Sequence, residues 1–521
     1  MEAADAIVIG AGHNGLVAAN LLADAGWQVL VLEAAAEPGG AVHTAEVTAP
    51  GFRNDLCSAF FPMTALSPII TGLDLGAYGL RWTHAPVALA HLLPDDRLVA
   101  LHRDLDRTMA SLGPDADAWA RMVEQWRSLR DPLVSALFSP FPPVRAGARL
   151  AGRAGVAELL RLARLAALPA RQFAEENFVD EGARVLIAGN ALHADVGIDN
   201  AGSAVFGWLL AMAAQDVGFP VPVGGAGELT NALVRRLRAR GGEVRCEQHV
   251  RQILIGAGRA VGVRDAAGDP IKARSAVLAD VPAPTLYRDL IGADHLPARL
   301  LDDLRRFTWD SGTVKVDWAL SAPIPWTNRG AAEAGTVHLG VDLDGMTGYG
   351  ADLARHRVPA RPFVLLGQMT TADPTRSPAG TESAWAYTHV PHGVPVDADA
   401  VARRMEQAIE AHAPGFRDLV VGRYVQGPAE LQGRNPGLIG GAINGGSSAV
   451  HQQLFFRPIP GLGRADTPID RLFLAGSSAH PGGAVHGGPG ANAAKAALRR
   501  DGLFGDAYAG IVGSALRAIY A

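Results

Sequence analysis

Asp5-Ala6-Ile7-Val8-Ile9-Gly10-Ala11-Gly12-His13-Asn14-Gly15 decides the fold. The apolar, partly β-branched run to Ile9 predicts a buried parallel strand. A G-x-G-x-x-G turn follows at once, and Leu16 to Ala25 predicts a helix that Gly26 stops. Gln28 to Leu32 predicts a second strand, which ends in the acid Glu33. Strand, glycine turn, helix, strand and acid in this order predict a dinucleotide site. Gly10 permits the tight turn, Gly12 lets a pyrophosphate approach the backbone, and Gly15 lets the helix pack on the strand. The helix start offers N–H groups and a positive dipole end to the anion. Glu33 stands where it accepts hydrogen bonds from an adenosine ribose.

Composition bounds the rest. A chain of 521 residues has room for two domains. With 48% hydrophobic and 19% charged residues it can build a large core, which excludes wholesale disorder. A net charge of −5 leaves no nucleic-acid footprint, so no such partner is expected. Cys57 and Cys246 form no C-x-x-C pair, and His389 and His392 have no third ligand at metal spacing. Neither a disulfide framework nor a metal site is expected. No signal-like segment precedes the first strand. The longest apolar run, near Ala201 to Ala214, is shorter than the ~20 residues of a spanning helix. The expected location is cytoplasmic, at most at a membrane surface.

Glu37-Pro38-Gly39-Gly40-Ala41 directly follows the acid, and Gly51-Phe52-Arg53-Asn54-Asp55 closes the segment. Pro222-Val223-Gly224-Gly225 opens a further helix, ending near Gly241-Gly242 before strands around Val244 and Val250. The chain ends with a strand at Leu472 to Leu474, a glycine-rich loop from Gly476 to Gly490, and a helix to about Arg499. Together these stretches resemble the FAD-dependent amine oxidase and phytoene desaturase superfamily. Asn435 to Gly441 and His451 to Gly461 place the resemblance nearer phytoene desaturase and carotenoid isomerase. They resemble the subgroup typified by the pyridine nucleotide-disulfide oxidoreductase domain-containing protein 2. It covers nearly the whole chain, and is weakest between about residues 80 and 210.

The resemblance implies an α/β fold. Its Rossmann-like, glutathione-reductase-like FAD-binding domain is discontinuous, over 1–75, 218–285 and 465–521. A helical cap or substrate region spans 76–217, and an inserted α+β substrate domain with an antiparallel sheet spans 286–464. It also implies the FAD contacts. Gly10, Gly12, His13, Asn14 and Gly15 form the turn and helix start, and Glu33 and Ala34 follow at the ribose. Gly39, Gly40 and Ala41 approach the pyrophosphate, and Val250 holds the adenine by its backbone. Gly476, Ser477, Val485 and His486 lie at the flavin, where the helix end stabilises charge on the reduced ring. Asp55 is placed toward the flavin or on a solvated turn. Nothing marks His43 or Cys57 as a covalent tether.

The implied activity is oxidoreduction of the desaturase, oxidase or isomerase kind. It moves a hydride between an apolar or conjugated small-molecule substrate carbon and flavin N5. An amine oxidase on the same fold is the second reading, and a non-catalytic carrier like the GDP-dissociation inhibitors is the third. His480 and His486 are the candidate catalytic residues, because they stand in the flavin loop and histidine titrates near neutrality. Gly256-Ala257-Gly258 looks like a second nucleotide loop, but a strand follows it rather than a helix. Oxygen or a quinone is therefore expected as electron acceptor ahead of NAD(P). Val156, Leu159, Leu160, Ala163 and Ala167 form an apolar stripe beside arginines 145, 149, 153, 161, 164 and 171. It is read as a cap over the substrate cavity, with peripheral membrane contact as the alternative. Substrate identity, redox direction and oligomeric state are left open.

Overall fold

The computed structural model describes residues 3–461 and 463–521. Two seven-stranded sheets organise them. In the first, Ala3–Ile9 lies between Pro270–Ala279 and Val29–Leu32, parallel to both. Glu243–Arg245 extends one side and Leu472–Leu474 pairs with Pro270–Ala279 on the other, again parallel. Strands from the two ends and the middle of the chain thus share one register. Ile9 aligns with Leu32 and with Ala279, and Ala279 aligns with Leu474. Their carboxyl ends deliver Gly10, Glu33, Asp280 and Gly476 to one edge, where open α/β sheets bind ligands.

Val250–Gly256 and Arg259–Asp265 are antiparallel neighbours, so Gly256 to Gly258 closes a hairpin. Helices His13–Asp24, Gly227–Ala239 and Gly488–Asp501 cover one face of the sheet. The first and last meet backbone to backbone. A Cβ on Gly490 would lie 1.9 Å from the Asn14 carbonyl oxygen.

The second sheet runs Val420–Gln426, Gly312–Leu320, Glu382–Val390, Val364–Gln368, Ala334–Leu339, Val87–Leu92, Leu98–Leu101. Two of its strands correct the reading of 76–217 as helical. Val-Ala-Leu-Ala-His-Leu at 87–92 is buried at every position, so it shows no alternation, and its Ala and Leu residues favour helix. Its partner Ala334–Leu339 is parallel to it, so the sheet is not purely antiparallel. Helices dominate the remainder of the region, with Trp119, Trp126 and Trp208 in their core.

A second correction concerns the apolar stripe. All of it but Ala167 lies on helix Val144–Leu165, yet Val156 is 77% exposed and Leu160 67%. The buried contacts of this helix come from Ala146 and Leu165 instead. The stripe faces away from the core rather than over a cavity. Among the described residues no helix is long and apolar enough to cross a membrane.

Candidate active site

A cavity of ≈ 450 Å³ opens at the carboxyl edge of the first sheet and runs to the second. At one end Glu33, Ala34, Gln248, His249 and Val250 form the wall. In the middle are Gly10, Gly12, Gly40 and Ala41, facing Gly476, Ser477 and Val485. Aromatic and apolar side chains close the far end, with Lys315 and His193 among them.

The middle fits a pyrophosphate because the protein removes its own side chains there. Gly10 sits at φ 92°, where any Cβ would strike the Asp280 carbonyl at 2.7 Å. The Gly39 N–H donates to the Ala11 carbonyl (2.9 Å), and a Cβ on Gly40 would touch the Gly12 Cα at 3.4 Å. The two glycine motifs therefore clamp each other. His13 and Asn14 begin the helix at the cavity wall, and the Gly12 N-cap has no side-chain hydrogen bond. Glu33 accepts from the Ala11 N–H at 2.7 Å and from the Ala35 N–H at 2.9 Å. Its carboxylate is thus oriented by the turn itself.

The last glycine-rich loop is fixed from outside. The Thr64 hydroxyl donates to the Val485 carbonyl and the Ser67 hydroxyl to the His486 carbonyl (2.7 Å). Arg457 is buried and donates to Ser477 and Asn444 carbonyls at 2.8 Å each, and to the Ser447 carbonyl at 3.0 Å. It joins the loop at Asn444 to the loop at Ser477, both of which face the cavity.

The far end is built on the second sheet. Trp385 and Tyr387 alternate onto one face of Glu382–Val390 and stack at 5.9 Å. Phe60 packs against Trp385 at 6.0 Å and against Phe219 at 6.3 Å. Lys315 forms a buried ion pair with Asp317, and its Nζ lies 5.7 Å from the Trp385 ring centre. Burial pushes the Asp317 carboxyl up, against the pull of Lys315. His193 stands 2.9 Å from His338, nitrogen to nitrogen, and 3.5 Å from the Tyr387 hydroxyl. Burial, with charge from His389, pushes His193 down to about 3, so it is neutral at physiological pH.

Most of the predicted contacts share this cavity: Gly10, Gly12, His13, Asn14, Glu33, Ala34, Gly40, Ala41, Val250, Gly476, Ser477 and Val485. Gly15, Gly39, His480 and His486 are not in its wall. Gly15 packs beneath the turn, where a Cβ would meet the Gly10 carbonyl at 2.2 Å. His486 uses both ring nitrogens on its own loop, with the Gly483 carbonyl (2.8 Å) and the Gly488 N–H (3.0 Å). His480 packs against Phe141 at 5.9 Å, and burial pushes it down to about 4. Asp55 is fully buried, paired with Arg376 at 2.6 Å. Cys57 reaches the cavity as a free thiol, which burial pushes up to about 11.

Lys315, His193 and Asp280 escape the sequence reading. Lys315 and Asp317 carried a signal, two opposite charges at i and i+2 inside an apolar alternating strand. His193 lies where the resemblance is weakest, and carried none.

Fold and cavity define a dinucleotide-binding architecture whose cavity has a second, aromatic end. The profile of the family described as flavin containing amine oxidoreductase matches residues 15–374, and the chain belongs to that family. It is 28% identical to pyridine nucleotide-disulfide oxidoreductase domain-containing protein 2 of Rattus norvegicus, over 95% of this chain and 93% of that protein. It is 26% identical to a limonene dehydrogenase polypeptide of Castellaniella defragrans, over 96% of this chain and 95% of the relative. Among solved structures, an oxidoreductase from Methanosarcina mazei shares the fold with a TM-score of 0.63 at 16% identity, covering 95% of this chain and 99% of that one. The protein is an FAD-dependent oxidoreductase.

Proposed function

We propose that the cavity holds FAD along the glycine turns and an apolar or conjugated substrate at the aromatic end. The observation that carries the reading is the placement of acidic side chains along the wall. Its carboxylates, Glu33 and Asp280, stand on the glycine-turn side. Among the described residues the aromatic end presents Phe60, Phe219, Trp385 and Tyr387 with Lys315, and no carboxylate. A cationic amine would meet no counter-ion there, whereas an uncharged unsaturated substrate matches the aromatic surface. The name of the limonene dehydrogenase relative points the same way, since limonene is a hydrocarbon.

Bound FAD supplies the hydride-accepting centre. The chain supplies position and dryness. Phe60, Phe219 and Trp385 exclude water and orient the substrate. His193, neutral and backed by His338, holds or accepts a proton at its Nδ1, beside the Tyr387 hydroxyl. Lys315, held by its ion pair with Asp317, presents its side-chain nitrogen to the cavity from the second sheet. The outward stripe at Val156 and Leu160, among arginines, suits contact with an anionic membrane surface. Oxygen or a quinone is the proposed acceptor.

The test is anaerobic mixing of the holoprotein with monoterpenes, polyenes and cyclic unsaturated compounds, with primary amines in parallel. Bleaching of the flavin band by the hydrocarbons and not by the amines is expected. Bleaching by amines alone would overturn the proposal in favour of amine oxidation.

A further inference from the structure

Gly10, Gly12 and Gly15 of the first turn and Gly476 of the last glycine-rich loop converge on one aspartate that neither stretch contains. Asp280 directly follows strand Pro270–Ala279, and its N–H donates to the Ile9 carbonyl at 2.8 Å. Its Oδ2 accepts from the Gly15 N–H at 2.8 Å. Cβ atoms on Gly12 and Gly15 would stand 2.6 and 3.1 Å from that oxygen. A Cβ on Gly476 would stand 3.2 Å from Oδ1. The carboxyl therefore bridges the first glycine turn and the flavin loop, and it faces the cavity.

We propose that Asp280 is a further FAD-site residue: it holds the turn as a neutral carboxylic acid beside the pyrophosphate, so FAD binding takes one proton from solvent onto the protein. The inference rests on the placement of FAD along the glycine turns. Two physical facts support it. The turn is the anion site, and an ionised carboxylate against Gly12 repels the incoming phosphates. As an acid, Asp280 keeps the bond from Gly15 and gains one O–H donor toward the cavity.

Its neighbours do not neutralise the carboxylate. From the second strand comes Glu33, an acid held by the Ala11 and Ala35 amides. From the helix comes His13, which burial pushes down to about 4 and leaves uncharged. His249, on the same cavity wall, is also lowered by burial and by Arg251. The flavin loop presents Gly476 and Ser477. Among the described residues no arginine or lysine forms an ion pair with Asp280. Burial first, then Glu33, push Asp280 up to about 7, and the Gly15 bond pulls the other way. Added phosphate charge raises it further. Between the free and bound values the complex holds more protons than free protein plus FAD, so affinity falls as pH rises.

The experiment strips flavin from the holoprotein and titrates FAD back by calorimetry, from about pH 6 to about pH 9, in buffers of different ionisation heat. Expected is constant affinity below about pH 7, a fall of up to tenfold per pH unit above it, and proton uptake toward one per FAD. D280N is expected to bind FAD with flat pH dependence and no uptake. Flat affinity or no uptake in the natural protein overturns the proposal while leaving the cofactor in place. The same uptake in D280N assigns the proton elsewhere and overturns it too. If D280N does not fold, the proton count of the natural protein decides alone. If no FAD rebinds, this proposal and the site reading fall together.

Discussion

Arg457 offers the sharpest prediction about how the site is held. Its buried guanidinium has carbonyl acceptors on two separate loops: Asn444 and Ser447 on one, Ser477 on the other. Burial lowers it to about 10, with Asp310 and Asp195 holding it up, so it stays charged at neutral pH. In R457M the side chain keeps an apolar stem, ends short of the guanidinium and loses every donor. Three buried carbonyls are then unpaired, at about 1–3 kcal/mol each. Relief of the buried charge offsets several kcal/mol of that, leaving a net loss of roughly 3 kcal/mol. The loss should appear where the loops meet the flavin. The assay is thermal unfolding of the holoprotein at fixed FAD, followed by both flavin and tryptophan fluorescence. R457M should release flavin at a lower temperature than natural protein, and R457K should fall between them. Flavin retention equal to the natural protein, with stability changed by less than about 0.5 kcal/mol, would refute the reasoning.

Three further outcomes follow from the same geometry. His13, His91, His389 and His480 are pushed down by burial to about 4, and His193 and His486 to about 3. Their folded values lie below the unfolded 6.5, so this stability is full above 6.5 and is lost as pH falls toward 4. Each contributes a slope of about 1.4 kcal/mol per pH unit in that window, and urea midpoints across it should drop steeply; a flat profile counts against burial of these rings. G490A should fail to load FAD or lose at least about 2 kcal/mol, because its Cβ would overlap the Asn14 carbonyl; full loading and unchanged melting would disprove that backbone contact. V156E with L160E should change stability by less than about 0.5 kcal/mol and weaken binding to anionic liposomes; unchanged sedimentation with liposomes would remove the stripe from the membrane proposal.

The parts legible in the sequence are those where the backbone itself is the recognition element. Ala3–Ile9, the glycine turn and Val29–Leu32 could be read because turn, strand and acid constrain each other at short range. Val87–Leu92 was not legible, because burial on both faces erases the alternation that marks a strand. The aromatic end of the cavity was hidden for another reason. His193 and Lys315 sit on different elements and meet only through the fold. Sequence puts His480 and His486 in the last glycine-rich loop, but the use of both His486 ring nitrogens on backbone depends on the folded loop. The setting of Asp280 is made by Gly10, Gly12, Gly15 and Gly476, all far from it in sequence.

The most direct test of the whole account is to denature the purified protein and identify what it releases. One FAD per chain, lost or sharply weakened in G490A, is the predicted result. A colourless protein that takes up no FAD on reconstitution would contradict it.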